Sequence, residues 1–352
     1  MRVLSARTAS VVVAGSAAAL WLAIGCGDST ENAGAAASSA GGQGGSLNLG
    51  ANAGAGVGGS MLLDGGSGDG NGQGGTAGKP PVGCGSVVTG TVRDFHAGVD
   101  FQCSNSGFND TWNKDCGPWD PAIVGALGSP IGPNRKPVFA AGTKSVSTTA
   151  AGNFDQWFAD TPGVNLSEEL KLTLTAGQSG TFAYDTAFFF PIDGKLFAAN
   201  PGDPDKGPYK SDDQAVRNFH FTYELHTTFR YDPGNVFTFR GDDDVFVYIN
   251  DKLAVNLGGI HVPLQGRIEL DTGRVEVTVD PQWESLVKLH TAPELGFNET
   301  ISGGIAGTVG LQLTPGEVYN MDFFFAERNC CASNFRIETN FVFVDCGTGP
   351  IK

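Results

Sequence analysis

Phe219-His220-Phe221-Thr222-Tyr223-Glu224-Leu225-His226-Thr227-Thr228-Phe229-Arg230-Tyr231 alternates with a period of two. Phe219, Phe221, Tyr223, Leu225, Phe229 and Tyr231 fall on odd positions, and His220, Thr222, Glu224, His226 and Thr228 on even ones. Successive side chains of a strand point to opposite faces, so this is a strand with one buried face and one wet or functional face. The sequence after it keeps the same grammar. Asp232-Pro233-Gly234-Asn235 is a turn, and residues 236–240 return with Phe237 and Phe239 on the core side. Residues 245–249 are apolar on both faces and read as a central strand. Asn250-Asp251 suits a two-residue hairpin turn, after which 253–257 pairs back. Further strands are expected at 273–279, 321–325 and 334–344, and short helical turns at 154–158 and 167–170. Many short strands with turn punctuation predict an all-β chain, an antiparallel β-sandwich or jelly roll.

Between two of these strands lies Gly241-Asp242-Asp243-Asp244-Val245. Three adjacent carboxylates at a strand entrance are costly unless a cation or a full set of donors neutralises them. Hard oxygen donors suit calcium, which takes six to eight oxygens. Asp242, Asp243 and Asp244 are therefore candidate metal ligands, with Asn256, Asn250 or the carbonyl near Gly258 as additions. The affinity expected of an extracellular module is on the order of 10⁻⁴ to 10⁻³ M. The alternative is that the carboxylates cap backbone amides with no ion.

The chain begins as a targeting segment. Arg2 and Arg7 precede an uncharged apolar run over 11–24, too short for a comfortable membrane span. Leu22-Ala23-Ile24-Gly25-Cys26 resembles a bacterial lipobox, with Ala23 where Leu is usual, so residues 1–25 read as a lipoprotein signal and Cys26 as the lipidation site. Ordinary secretion with an unmodified Cys26 is the alternative. Gly27, rather than aspartate, follows the cysteine, which points to the outer membrane or cell surface. Residues 26–83 are rich in Gly, Ala and Ser, a flexible tether with a reach on the order of 40 Å. The folded domain is 84–352.

The formal net charge of −15 argues against nucleic acid and against electrostatic binding to anionic lipid, leaving the lipid anchor as the membrane contact. It suits divalent cations and neutral polymers. Cys84, Cys103, Cys116, Cys330, Cys331 and Cys346 form an even set in an exported chain, which reads as up to three disulfides among fifteen connectivities. Cys84 and Cys346 bracket the domain, and the adjacent Cys330 and Cys331 are expected to take different partners. Paired C-x-x-C knuckles for zinc are lacking.

Several stretches resemble the fibro-slime domain: Asn218-Phe219-His220-Phe221-Thr222, Phe237-Thr238-Phe239-Arg240-Gly241-Asp242-Asp243-Asp244-Val245, Asn256-Leu257-Gly258-Gly259-Ile260-His261, Phe324-Phe325-Ala326-Glu327-Arg328 and Ser333-Asn334-Phe335-Arg336-Ile337. Gly90-Thr91-Val92-Arg93-Asp94-Phe95 and Phe189-Phe190-Pro191-Ile192-Asp193-Gly194 are earlier matches, so the resemblance covers about residues 88–340. That family is related to the β-sandwich domains named for anthrax protective antigen. The resemblance implies extracellular adhesion or matrix attachment, with carbohydrate a common ligand. In glycan-binding relatives two consecutive aspartates, joined by a cis peptide, hold a calcium ion that touches sugar hydroxyls. Asp242 and Asp243 match that pair, while a third aspartate follows and Asn250-Asp251 stands where the family favours Asn-Gly.

Other candidates compete. Trp112 and Trp119, flanking Cys116 in a polar loop, are the better sugar-stacking candidates beside Trp157 and Trp283, with Asn250 and Asp251 as polar ligand contacts. His220, Glu224 and His226 share a strand face and suit zinc or copper, or else a plain polar face. Neither a G-x-S-x-G elbow nor an H-E-x-x-H helix is present. Glu168, Glu169, Glu224 and Glu284 are the carboxylates a glycosidase would draw on, and no spacing sets two of them opposite each other. The expectation is a non-enzymatic, calcium-assisted domain that binds a glycan or extracellular matrix polymer. A structural coat component is the rival, and a polysaccharide-processing enzyme the third reading.

Overall fold

The computed structural model describes residues 86–98, 100–101, 120, 123–140, 148, 150–199, 215–279, 306–329 and 332–347. The chain divides into two units, Met1–Pro80 and Pro81–Lys352, and every described residue belongs to the second. The expected signal, tether and Cys26 lie outside the described residues. So do Trp112, Trp119, Trp283, Glu284, Cys84, Cys103, Cys116, Cys330 and Cys331.

The strands are β1 (Val87–Phe95), β2 (Asn165–Thr173), β3 (Thr175–Ala176), β4 (Phe182–Thr186) and β5 (Phe221–Arg230). They continue with β6 (Val236–Gly241), β7 (Asp244–Ile249), β8 (Lys252–Leu257), β9 (Leu264–Glu269) and β10 (Arg274–Val279). β11 (Gly307–Thr308), β12 (Val318–Glu327), β13 (Phe335–Thr339) and β14 (Val342–Asp345) complete the set. One sheet has the order β2-β1-β5-β12-β7-β8, with β14 beside the end of β5. The other runs β11-β10-β9-β6-β13-β4-β3. Each ladder between these strands is antiparallel, and the two sheets pack as a β-sandwich.

Alternation builds the core. Phe221, Tyr223, Leu225 and Phe229 of β5 meet Phe323 and Phe325 of β12, Phe237 and Phe239 of β6, and Phe335 of β13. Phe189, from the loop after β4, stacks on Phe335 at 4.1 Å between ring centres. The second sheet behaves as its sequence predicts. Thr238, Arg240, Arg336 and Glu338 face outward while Phe237, Phe239, Phe335 and Ile337 are buried.

The first sheet departs from expectation. The even-position face of β5, which the alternation marks as wet or functional, is not wet: His220, Thr222, Glu224 and His226 are all buried. A third layer covers it. Ile123, Val124, Phe154, Trp157 and Phe158 pack on Phe246, Tyr248, Leu253 and Phe324. A segment at 128–131 also bonds to the β8 edge through Gly128 N–H to Leu253 O (2.8 Å) and Leu253 N–H to Ser129 O (2.8 Å). Among the described residues, the one α-helix in this layer is Ala151–Phe154, ending where the helical turn at 154–158 was expected to begin.

The helical turn expected at 167–170 is instead part of β2. Its nine residues pair with β1 from Val87↔Thr173 to Phe95↔Asn165. A four-residue helix would leave its first N–H groups without partners, whereas the ladder satisfies them, so tertiary pairing overrides the helix preference of Glu, Leu and Lys.

Candidate functional site

The three aspartates straddle the start of β7, and strand alternation sorts them. Val245, Val247 and Ile249 face the inter-sheet core, so Asp243 is in phase with that inner face. Phe246 and Tyr248 face the cover layer, and Asp244 goes with them. The Asp242–Asp243 peptide bond is cis.

Asp244 is neutralised from within. Arg328 Nε donates to its Oδ2 (2.6 Å), and Gly259 N–H donates to its Oδ1 (2.5 Å). The Arg328 guanidinium also stacks over Trp157 (4.6 Å) and donates to the Asp100 carbonyl (3.3 Å). Trp157 Nε1 donates to the Asp100 carboxylate (3.1 Å), so this indole, one of the weaker sugar-stacking candidates, is committed to the interior. Burial lowers the Arg328 pKa, but Asp244 outweighs it and the guanidinium is raised.

Asp242 and Asp243 are held instead by backbone N–H groups and one side-chain amide. Asp242 Oδ1 accepts from Asn334 N–H (2.5 Å), and Oδ2 from Asn334 Nδ2 (3.1 Å). Asp243 Oδ1 accepts from His261 N–H (3.0 Å), and Oδ2 from Arg328 N–H (3.2 Å). Gly241 lets Asn334 come this close, since a Cβ there would stand 2.0 Å from the Asn334 carbonyl oxygen. His261 brings no positive charge, because burial lowers its pKa.

Glu327, at the end of β12, is the residue that sequence reasoning missed as a site member. It is fully buried, and neither carboxylate oxygen accepts a hydrogen bond. Asn329 N–H and the Ser333 hydroxyl come near enough to ease its charge, but that hydroxyl donates to the Phe189 carbonyl (3.0 Å). Burial, then the charges of Asp243 and Asp242, push Glu327 well above the usual carboxylate range. Burial, then Asp242 and Asp244, do the same to Asp243. Asp244, Asp100 and Asp243 act on one buried guanidinium, while Asp242 and Glu327 act on Asp243, so buried acid outnumbers buried base here. The signal was present in Phe323-Phe324-Phe325-Ala326-Glu327-Arg328, where Glu327 is in phase with the buried Phe323 and Phe325. Among the described residues, no group of three or more His, Cys, Asp or Glu side chains is placed to hold a metal ion. Hard carboxylate oxygens are nonetheless the donor type that calcium takes, and Asp242 and Asp243 bring two of them side by side.

The remaining candidates separate. Asn256 lies opposite Phe246 on the cover side, with its amide on Gly125 O (2.9 Å) and its oxygen on Gly258 N–H (3.2 Å). Asn250 and Asp251 form the expected hairpin turn, both with positive φ, at the other end of β7 from the aspartates. Six residues of strand span about 20 Å, so one ion cannot touch both ends. Asn250 donates to Leu311 O (2.8 Å), and Asp251 accepts from Arg135 (2.9 Å). Cys346 is disulfide-bonded, to a partner outside the described residues.

Glu224 and His226 do meet, but without His220, which lies about 13 Å from Glu224 along the chain at strand rise. His226 Nε2 is 2.5 Å from Glu224 Oε1, and its Nδ1 is 2.6 Å from Asp322 Oδ1. Arg93 (2.5 Å) and Lys136 also bind Glu224, Arg135 binds Asp322, and Arg93 binds Asp160 (2.9 Å). Charges alternate along this chain, which ties the cover residues Arg135, Lys136 and Asp160 to the sheet. Burial raises the Glu224 carboxyl, but His226, Arg93 and Lys136 overcome it and hold the group down at about 2. Burial lowers His226, and Asp322 with Glu224 overcomes that, so the imidazole is raised. Arg93 and Lys136 occupy the carboxylate a metal would need, so the arrangement works as an ionic tie. Glu168 and Glu169 sit on edge strand β2, paired with Lys195 (2.7 Å) and Lys171 (3.1 Å).

No family model matches the chain, and no solved structure matches it. Curated proteins of Dictyostelium discoideum are similar. Protein psiR is 32% identical over 218 residues, 61% of this chain and 18% of that protein. Protein psiQ is 33% identical over 218 residues, with the same shares. Protein psiD is 30% identical over 231 residues, 64% of this chain and 37% of that protein. The chain therefore spans well under half the length of these relatives, and the likeness is to one part of each.

Proposed function

We propose that the chain is an exported surface protein, lipid-anchored at Cys26, whose fibro-slime-like sandwich holds calcium at Asp242 and Asp243 and binds a glycan or extracellular matrix polymer. The observation that carries this is the excess of buried carboxylate around the adjacent Asp242 and Asp243, beside which Asp244 and Asp100 share the one buried guanidinium, Arg328. Calcium bound there supplies positive charge and open coordination positions of the kind sugar hydroxyls fill. The chain's own residues prepare the place. Asn334 and His261 orient the two carboxylates by backbone donors, and Arg328 removes Asp244 from competition.

A glycan array probed with the full chain, with and without a chelator, tests the proposal. Calcium-dependent hits support it. Asp242 and Asp243 are only 5% and 4% exposed, which favours a second reading in which the ion is purely structural. That reading gains if calcium raises the unfolding midpoint and no glycan binds. Palmitate labelling of cells expressing wild type and Cys26→Ala tests the anchor, which fails if label persists in the variant.

A further inference from the structure

We propose that the outer edge of β2 pairs with the same edge of a second copy of this chain, so that the two first sheets continue into one across a two-fold axis at Leu170. Neither calcium nor a glycan enters into this inference. A sheet edge presents a row of unpaired N–H and C=O groups, and proteins cover, shorten or kink such edges. The other ends of the two sheets are treated in that way. At β8 the segment 128–131 bonds to Leu253, through Gly128 N–H to Leu253 O and Leu253 N–H to Ser129 O. The second sheet ends in β11 and β3, of two residues each. β2 differs. It is nine residues long, holds neither Pro nor Gly, and runs along β1 without a bulge. Among the described residues, no strand pairs with its other side.

The direction of the free backbone groups follows from the neighbours. Leu174 N–H donates to Ser86 O (2.6 Å), and the register runs on from there as Val88↔Leu172 and Gly90↔Leu170. Even-numbered residues of β2 therefore turn their N–H and C=O toward β1, while Ser167, Glu169, Lys171 and Thr173 turn theirs outward. Phe95 N–H donates to His220 O on the far side of β1 (2.8 Å), which agrees with that alternation. An antiparallel partner must then set odd residues against odd residues. Pairing β2 with its own copy about Leu170 does so: Glu169 stands opposite the partner's Lys171, Lys171 opposite the partner's Glu169, and Ser167 opposite the partner's Thr173. The same register balances charge. Lys171 and Glu169 are 62% and 57% exposed and 3.1 Å apart, and across the axis each gains a second opposite charge. Moving the axis by one residue sets Glu169 against its copy, or Lys171 against its copy, and like charges directly opposite are destabilising. Leu170, partly buried on the inner face, meets its copy at the axis.

The contact is one strand edge, so a weak dimer is expected, with a dissociation constant on the order of 10⁻⁶ to 10⁻⁴ M. Sedimentation of the full chain over that range tests it, in a Cys26→Ala background so that acylation does not itself drive association. The chain with β2 unsubstituted is expected to dimerise. Glu169→Lys and Lys171→Glu each set like charges opposite one another on both sides of the axis. Each alone is expected to raise the dissociation constant about tenfold or more. An equimolar mixture of the two variants restores opposite charges, and so does the double variant Glu169→Lys with Lys171→Glu. Both are expected to return the constant to within about threefold of the unsubstituted chain. Because both side chains are exposed, urea midpoints at dilutions where every chain is monomeric should coincide. A monomer throughout the range overturns the inference. So does a dimer that survives both single substitutions, or a loss that the mixture or the double variant fails to repair.

Discussion

Replacing Glu224 by glutamine removes the hub of the buried ionic tie. The carboxyl is held at about 2 instead of 4.5, although burial alone would raise it. At about 1.36 kcal/mol per pH unit, that preference for the ionised form amounts to about 3 kcal/mol. A second route gives a similar figure. The substituted side chain would face Arg93, Lys136 and His226 with a neutral amide, and removing one member of a buried charge pair costs about 3–5 kcal/mol. Urea unfolding of the full chain at pH 7 reads the loss. With a slope of about 3 kcal/mol per molar, the midpoint should fall by about 1 M or more. The pH dependence has a definite sign. A carboxyl depressed in the fold contributes stability above its unfolded value near 4.5, and that contribution fades as pH falls from 4.5 toward 2. The gap between wild type and variant should therefore narrow over that range. A loss below about 1 kcal/mol at pH 7, or one that is the same at pH 3, would refute the reasoning. Glu276→Gln, which breaks a pair with Arg274 on the outer face of the second sheet, is the control and should cost under about 0.5 kcal/mol.

Three further outcomes are expected. Arg328→Met should destabilise the chain by about 3–5 kcal/mol by stranding Asp244, and adding Asp244→Leu should recover most of that loss, as read from chemical denaturation of the single and double variants. His226→Gln keeps a polar side chain but loses the imidazolium, whose pKa is raised in the fold. The wild-type advantage should be full below about pH 6.5 and shrink as pH rises through the folded value; an advantage that grows from pH 6 to pH 10 would count against the tie. Gly241→Ala should cost about 1–3 kcal/mol, because its Cβ would meet the Asn334 carbonyl oxygen at 2.0 Å; a thermal melt unchanged from wild type would contradict that contact.

The sandwich was legible because its strands obey a period of two. Phe237 and Phe239, or Phe335 and Ile337, name their own face, and residues 236–240 became β6 with one added position. Strand β9 was missed because Gly266 interrupts its inward row of Leu264 and Ile268, so little apolar alternation remained to read. β2 was mistaken because an exposed edge strand carries Glu and Lys as readily as a surface helix does. The cover layer had no periodic signature. It is mostly turns, and its anchors Phe154, Trp157 and Phe158 find partners such as Phe246 and Phe324 far along the chain. For that reason the even positions of β5 read as a wet or functional face. At the candidate site, the aspartates announced themselves by crowding. That Asp244 belongs to Arg328 and that Glu327 stands beside Asp243 follow from β7–β12 pairing, and such pairing is a tertiary fact.

The third layer also decides where this molecule can be cut. A fragment beginning after residue 165 would lack β1 as well as Trp157 and Phe158, and would lay bare Phe246, Tyr248 and Phe324 with Glu224 and Asp322 set among them. Such a piece would be both greasy and unevenly charged on one flank, a surface that sticks to its own copies before it recognises anything else. Any recombinant version that keeps the sandwich soluble has to start upstream of Val87, however loop-like the stretch between the first two strands looks on paper.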